Sequence, residues 1–176
     1  MNNILLTGVP GLGKTTAIRN VARLIAELHP CGFFTAEIRE RGVRKGFELI
    51  EIAGGRKAIL SHIDIQSRFQ VGRYGVDLAG FERFLESIPL LRAGMRPVII
   101  DEIGKMECFS GAFRDTVTSL LDGPGAVLAT VAMRGGGFIE EVKRRKDVTL
   151  FEITLPNRDS LPGEIAAHIR AEAGPP

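Results

Sequence analysis

A chain of 176 residues, 44% apolar and 25% charged, has the make-up of a globular domain able to bury a substantial core. Its 23 basic and 21 acidic side chains leave a net charge of +2, so no overall field draws it to nucleic acid or to an acidic membrane. The absence of tryptophan and the few aromatics argue against a stacking platform for single strands, and no apolar run approaches the ~20 residues of a membrane span.

The first element is a short apolar run, Ile4 to Leu6, that reads as a fully buried strand. It passes into Gly8-Val9-Pro10-Gly11-Leu12-Gly13-Lys14-Thr15-Thr16 and then into a segment of helical periodicity, Ala17 to Leu28. Strand, then G-x-x-x-x-G-K-[ST], then helix is the context in which a glycine-rich loop cradles phosphates. Gly8, Gly11 and Gly13 permit torsions that a side chain would forbid, so successive N–H groups can turn inward as an anion-binding nest. The helix N-terminus adds positive partial charge. In this pattern Lys14 reaches the β- and γ-phosphates and the Thr15 hydroxyl ligates Mg²⁺. Residues Gly8 to Thr16 are therefore the candidate nucleotide-binding loop, a P-loop, and the expected ligand is a nucleoside phosphate.

The helix is expected to end near His29 and Pro30. Cys31 to Ile38 reads as a second strand, followed by a charged turn from Arg39 to Gly46. Phe47 to Ile52 alternates apolar with polar residues, Gly54-Gly55 follows, and Lys57 to Leu60 resumes, the signature of an inserted antiparallel hairpin. Ser61 to Asp77 is polar and weakly periodic and admits either a short strand or a loop. Leu78 to Leu91 is spaced as a helix, with Gly94 as a stop. Pro97 to Glu102 is a buried strand ending in acids. Phe113 to Leu121 is a helix, Ala126 to Ala132 a strand, Phe138 to Arg145 a helix, Val148 to Leu155 a strand, and Leu161 to Ala171 a closing helix capped by Asp159 or Ser160. Residues 1–173 read as one domain and 174–176 as a frayed tail. Cys31 and Cys108 have neither metal-ligand nor disulfide spacing and read as small buried hydrophobes.

Strands alternating with helices imply an α/β fold with a mostly parallel sheet covered on both faces. Ligands collect beyond the carboxyl ends of such strands. That edge gathers the glycine loop, Thr35 to Arg44, Asp101 to Glu107, Thr130 to Gly136, and Pro156 to Asp159. The second constellation there is Val98-Ile99-Ile100-Asp101-Glu102, an apolar strand with terminal acids. Asp101 is the candidate partner of Thr15 in holding Mg²⁺. Glu102 is the candidate catalytic carboxylate that polarises a water for in-line attack. Glu107 is a further acid nearby, with a metal-water or a structural role.

Asp101-Glu102-Ile103-Gly104-Lys105-Met106-Glu107 resembles the D-E-[IV]-G-x-M-E signature of the small P-loop nucleoside-triphosphatases first described from thermophiles, the family that includes the cancer-related nucleoside triphosphatase of animals. Gly32 to Phe47 resembles its G-F-x-T-x-E-[IV]-R-x-x-G-x-R-x-G-F segment, and Gly72 to Val76, Glu140 to Lys143 and Asn157 to Asp159 fit as well. The resemblance covers nearly the whole chain. It implies a three-layer P-loop NTPase domain of the RecA-like branch and Mg²⁺-dependent hydrolysis of nucleoside 5′-triphosphates to diphosphate and phosphate with loose base selectivity. Where members often carry Lys-Gly after the strand ending at Thr130, this chain has Arg134-Gly135, which leaves a phosphate contact by Arg134 open.

Phosphoryl transfer is catalysed by positioning and by positive charge near the transferring group. Lys14 supplies one such charge, and Arg39, Arg41 or Arg44 is a candidate arginine finger, with Arg39 and Arg44 placed first and Arg68 and Arg73 weaker. Asn157 and Arg158, after the last strand, are candidate base contacts, Arg158 stacking on any base. Thr130 is a candidate γ-phosphate sensor. The leading expectation is a cytoplasmic, monomeric nucleoside-triphosphatase. The alternatives are a kinase passing the γ-phosphoryl to a nucleoside, nucleotide or nucleic-acid end, and a nucleotide-dependent switch.

Overall fold

The central sheet follows from apolar segments whose successive side chains point to opposite faces. The computed structural model describes residues 3–173. The strands are β1 (Asn3–Thr7), β2 (Cys31–Glu40), β3 (Val43–Glu51), β4 (Lys57–His62), β5 (Gln70–Val71), β6 (Tyr74–Val76), β7 (Val98–Ile103), β8 (Val127–Val131) and β9 (Val148–Glu152). The helices are α1 (Lys14–Leu24), α2 (Leu78–Ser87), α3 (Gly111–Leu121), α4 (Phe138–Lys143) and α5 (Leu161–Ala173). All nine strands form one sheet in the order β5-β6-β4-β3-β2-β7-β8-β1-β9. From β2 to β9 every neighbouring pair is parallel; from β2 outward to β5 every pair is antiparallel. The site-bearing half is therefore a parallel sheet, and the insertion forms the other half.

The alternation divides the core in two. Ile4, Leu6, Ile99 and Leu128 face α1 and α5, packing with Ile18, Val21 and Ile165. Leu5, Ile100, Val127 and Ala129 face the other way, toward Phe81 and Phe84 of α2 and Phe113 and Val117 of α3. Phe33 stands edge-on to Phe84 with ring centres 5.8 Å apart, and Phe81 meets Phe113 at 5.4 Å. No helix among the described residues is long and apolar enough to cross a membrane.

Several boundaries differ from the sequence reading. The first helix begins at Lys14, as the loop pattern places it, but ends at Leu24, a 3₁₀ turn carrying the chain to Leu28 before His29 turns left-handed at φ 51°. The charged segment expected as a turn, Arg39 to Gly46, is mostly strand. Only Arg41 (φ 46°) and Gly42 (φ 80°) turn, both with positive φ, as a tight two-residue hairpin connection demands. The strands there are polar because they project beyond the layers that would bury them. Ser61 to Asp77 contains the β5–β6 hairpin. The helix expected to reach Leu91 stops at Ser87, because Ile88 precedes Pro89 and is extended (φ −111°, ψ 144°). The tail expected to fray, 174–176, lies outside the described residues.

Candidate active site

The loop between β1 and α1 is built around three glycines, and two positions show why. A β-carbon on Gly8 would lie 2.5 Å from Ile153 Cγ2 and 2.9 Å from the Ile153 carbonyl oxygen. The loop must pass that close because the Ile153 N–H donates to the Thr7 carbonyl (2.8 Å), seating the end of β1 beside the end of β9. Gly13 at φ 98° caps α1 without a side-chain acceptor, and the first turn carries no acid. The leading N–H groups of α1 thus meet no competing side-chain acceptor, the arrangement an anion requires. Lys14 Nζ donates to the Gly8 carbonyl (3.1 Å), folding the lysine back over its own loop. Thr15 and Thr16 follow in the same first turn.

Across the sheet edge, Asp101 is 2% exposed. The β7–β8 ladder shifts register between Ile100 and Ile103, so the acids leave the regular pairing, and side chains hold the carboxylate in place. Thr130 Oγ1, at the end of β8, donates to Asp101 Oδ1 at 2.8 Å. Thr35, on β2, donates to Oδ2 from its hydroxyl (3.1 Å) and its backbone N–H (3.4 Å). Among the described residues no Lys or Arg pairs with this carboxylate. A buried carboxylate held by neutral donors on a strand beside an uncapped phosphate loop is a fitting donor for a hard cation, and the Thr15 hydroxyl is the same class of ligand.

Glu102 is half-buried, and burial raises its carboxyl above the usual range; Lys14 pulls it back down and Asp101 pushes it up. Lys14, Asp101 and Glu102 thus share one electrostatic neighbourhood. Glu107 is 5% exposed and its carboxyl is pushed up to about 8, chiefly by burial. The backbone N–H groups of Glu107 and Gly104 oppose that rise, and the charges of Glu102 and Asp101 add to it. A cavity of about 250 Å³ beside these acids is lined by Thr35, Glu102, Lys105, Glu107 and Arg134 along with apolar side chains.

The expected residues divide accordingly. Lys14 and Glu102 come together with Asp101 on the carboxyl edge, and Arg134 reaches the same cavity as Glu102. Thr130, read as a γ-phosphate sensor, spends its hydroxyl on Asp101. Arg39 and Arg44 stand on the β2–β3 arm. β2 pairs with β7 only from Cys31 to Phe33, so residues 34–40 overhang the edge. At ~3.3 Å per residue the Arg39 backbone stands about 13 Å beyond Thr35. Arg39 is bound by Glu37 (2.7 Å) and the Gly42 carbonyl (2.7 Å). Arg44 bonds Glu37 (2.9 Å) and the Tyr74 hydroxyl (3.0 Å) and lies over the Phe47 ring. Arg39 is thus engaged within the hairpin, and Arg44 bridges it to β6 over Phe47, a ring that also lines the cavity with Glu102. Asn157 uses its carboxamide on the turn after β9, accepting from the Thr154 N–H (2.7 Å) and donating to the Glu152 carbonyl (2.9 Å). Arg158 is half exposed, with its Nε 3.7 Å from Asp159. Sequence reasoning missed Thr35 as a holder of Asp101 and Lys105 as a neighbour of Glu102. The signals for Thr35 were a small hydroxyl residue on a strand crossing the active edge and the fixed T of the G-F-x-T-x-E resemblance, neither of which names its partner.

With this geometry in hand, likeness to known proteins is specific. A model of the NTPase family matches residues 3–166. The nucleoside-triphosphatase THEP1 of Thermotoga sp. (strain RQ2) is 40% identical over 172 residues, covering 97% of each chain. The human cancer-related nucleoside-triphosphatase is 35% identical over 187 residues, covering 96% of this chain and 97% of its own. The crystal structure of THEP1 from Aquifex aeolicus superposes with a TM-score of 0.84 at 35% identity, covering 96% of this chain and 99% of that one. Family model, full-length relatives and fold agree: the chain belongs to the NTPase family.

Proposed function

We propose that the protein hydrolyses nucleoside 5′-triphosphates to the diphosphate and phosphate, with Mg²⁺ and with little selectivity for the base. The observation that carries this reading is the meeting of Lys14, at the start of α1, with Asp101 and Glu102, at the end of β7. The nucleoside-triphosphatase names of its full-length relatives support the same class of reaction.

The loop N–H groups hold the β-phosphate, and Lys14 turns from the Gly8 carbonyl to the β- and γ-phosphate oxygens. Thr15 and Asp101 are the residues that would hold Mg²⁺, which supplies neutralisation of charge on the phosphate oxygens. Thr130 and Thr35 fix the orientation of the Asp101 carboxylate. Glu102, as carboxylate, accepts a hydrogen bond from a water and aims its oxygen at the γ-phosphorus. The new O–P bond forms as the bond from the γ-phosphorus to the β,γ-bridging oxygen breaks, and the water proton passes to Glu102 or to a phosphate oxygen. Arg134 and Lys105 add positive charge on that side. Beyond β9, Asn157 is engaged with the turn, which leaves the flat Arg158 to meet any base by its face. Weak base selectivity follows. The acting species is read as a cytoplasmic monomer on free nucleotide.

The test is a phosphate-release panel over ATP, GTP, CTP and UTP with and without Mg²⁺. We expect release from all four only with Mg²⁺, loss with Lys14→Ala, and a fall of about 10²–10⁴-fold with Glu102→Gln at retained nucleotide binding. Release unaffected by Glu102→Gln refutes the assignment of the water to Glu102.

A further inference from the structure

On the α1 side of the sheet, helices cover the parallel strands only. The antiparallel extension carries α2 on its other face, while on the α1 side α1 reaches β2, with Arg19 over Phe34, and no helix packs closely on β3 or β4 among the described residues. Beside α1 this leaves a groove of about 750 Å³. Its floor is apolar: Phe34 and Ile50, directly opposite each other in the β2–β3 ladder, with Ile52 and with Ala22 and Ala26 on the wall. Farther along the same face, Ile59 of β4 is 48% exposed. Every ionisable residue lining the groove is basic: Arg19, Arg23, His29 and Arg96. Of the acids nearby, Glu27 bonds Arg170 of α5 at 2.6 Å, and Glu48, opposite Ile59 on the same face, is held by Lys57 at 3.1 Å.

Arg19 ties the basic rim to this floor. Its guanidinium lies 5.1 Å from the centre of the Phe34 ring, and Nη2 donates to the Thr35 carbonyl at 3.2 Å. Its Nε is buried without a hydrogen-bond partner.

We propose that this groove docks an amphipathic helix of a partner protein, its apolar stripe on Phe34, Ile50 and Ile52 and acidic side chains along its flank toward Arg19, Arg23 and Arg96. A helix fits the floor where an added strand does not, because Phe34 and Ile50 lie inside the β2–β3 ladder and β3 is paired with β4 on its other edge. Ala22 and Ala26, one turn apart, allow close approach of helix backbones. Two or three turns, about 15 Å, span the floor. The rim selects acid by charge complementarity, which sets specificity and on-rate. A second copy of this chain docked by the same face around a two-fold axis would bring like-charged rims together, which disfavours self-association. The inference does not rest on the reaction proposed above.

Two fluorescein-labelled model peptides of about 15 residues test it, with the same leucine stripe and flanks of either glutamate or lysine, titrated by anisotropy against the intact nucleotide-free protein. The glutamate peptide is expected to bind at least about tenfold more tightly than the lysine peptide at low salt, the gap narrowing as salt rises. Arg23→Glu, an exposed change checked by thermal melting, is expected to weaken the glutamate peptide and strengthen the lysine peptide. Equal affinity for both, no binding of either, or indifference to Arg23→Glu overturns the proposal. So does stronger, Arg23-dependent binding of a single-stranded oligothymidine, or a concentration-dependent dimer that Arg23→Glu abolishes.

Discussion

Replacing Thr130 with valine removes one hydroxyl from a fully buried side chain while keeping its shape. The lost bond, 2.8 Å to Asp101 Oδ1, is one of the few donors to a carboxylate that is itself 2% exposed. A hydrogen bond to a charged group is worth about 1.5–3 kcal/mol, and the extra buried methyl returns about 0.8 kcal/mol. The net expectation is a destabilisation of about 1–2 kcal/mol, or about 3–6 °C in melting temperature for a chain of this size. Because the freed carboxylate can rotate, the Mg²⁺ concentration for half-maximal phosphate release should rise about 10–100-fold. Thermal melting in chelator and a Mg²⁺ titration of phosphate release measure the two effects. If Thr130 instead contacted the γ-phosphate, Thr130→Val would leave Mg²⁺-free stability unchanged and lower kcat alone. An unshifted melt with an unshifted Mg²⁺ midpoint refutes the Thr130–Asp101 account.

Gly8→Ala places a β-carbon 2.5 Å from Ile153 Cγ2. It should cost about 1–3 kcal/mol in urea unfolding and weaken nucleotide binding together, since the overlap forces β1 and β9 apart; a normal melt with normal binding counts against that packing. The Glu107 carboxyl, raised in the folded state to about 8 from an ordinary 4.5, loses its proton later than in the unfolded chain. Native stability therefore falls as pH climbs from about 4.5 to 8 and levels off above that window. Glu107→Gln should gain on the parent by up to ~1.4 kcal/mol per pH unit across it, and urea midpoints at several pH values read the difference; a constant gap refutes it. Arg41, at φ 46° in the hairpin turn, should tolerate asparagine with a gain of a few tenths of a kcal/mol and an unchanged hydrolysis rate. A rate loss with Arg41→Asn would place that arginine in the chemistry.

The parallel half of the fold was legible because its strands are short apolar runs separated by helical periodicity, and the nucleotide loop because its glycines, Lys14 and Thr15 sit between such elements. The hairpin arm was harder to read. Residues 39–46 are charged on both faces, a pattern that signals solvent without distinguishing a turn from two overhanging strands, and pairing decides between them. The role of Thr35 was hidden for another reason. Its hydroxyl matters only because β2 neighbours β7, an adjacency of residues 66 positions apart that no local pattern encodes. Asn157 carried an ambiguous signal, since a carboxamide after a strand serves a base or a turn equally well, and here it closes the turn.

The strand that leads into the nucleotide loop lies between β8 and β9, its residues 3–7 paired with residues 127–130 on one side and 148–152 on the other. As the chain emerges from a ribosome, β1 must wait for β8 and β9, which follow it by more than 100 residues, so the loop it carries has no floor until both are out. Such long-range closures slow folding. Nucleotide binding is consequently a reporter of the finished molecule, and a pulse of labelled nucleotide during refolding would mark the moment when β1 slots between its two late partners.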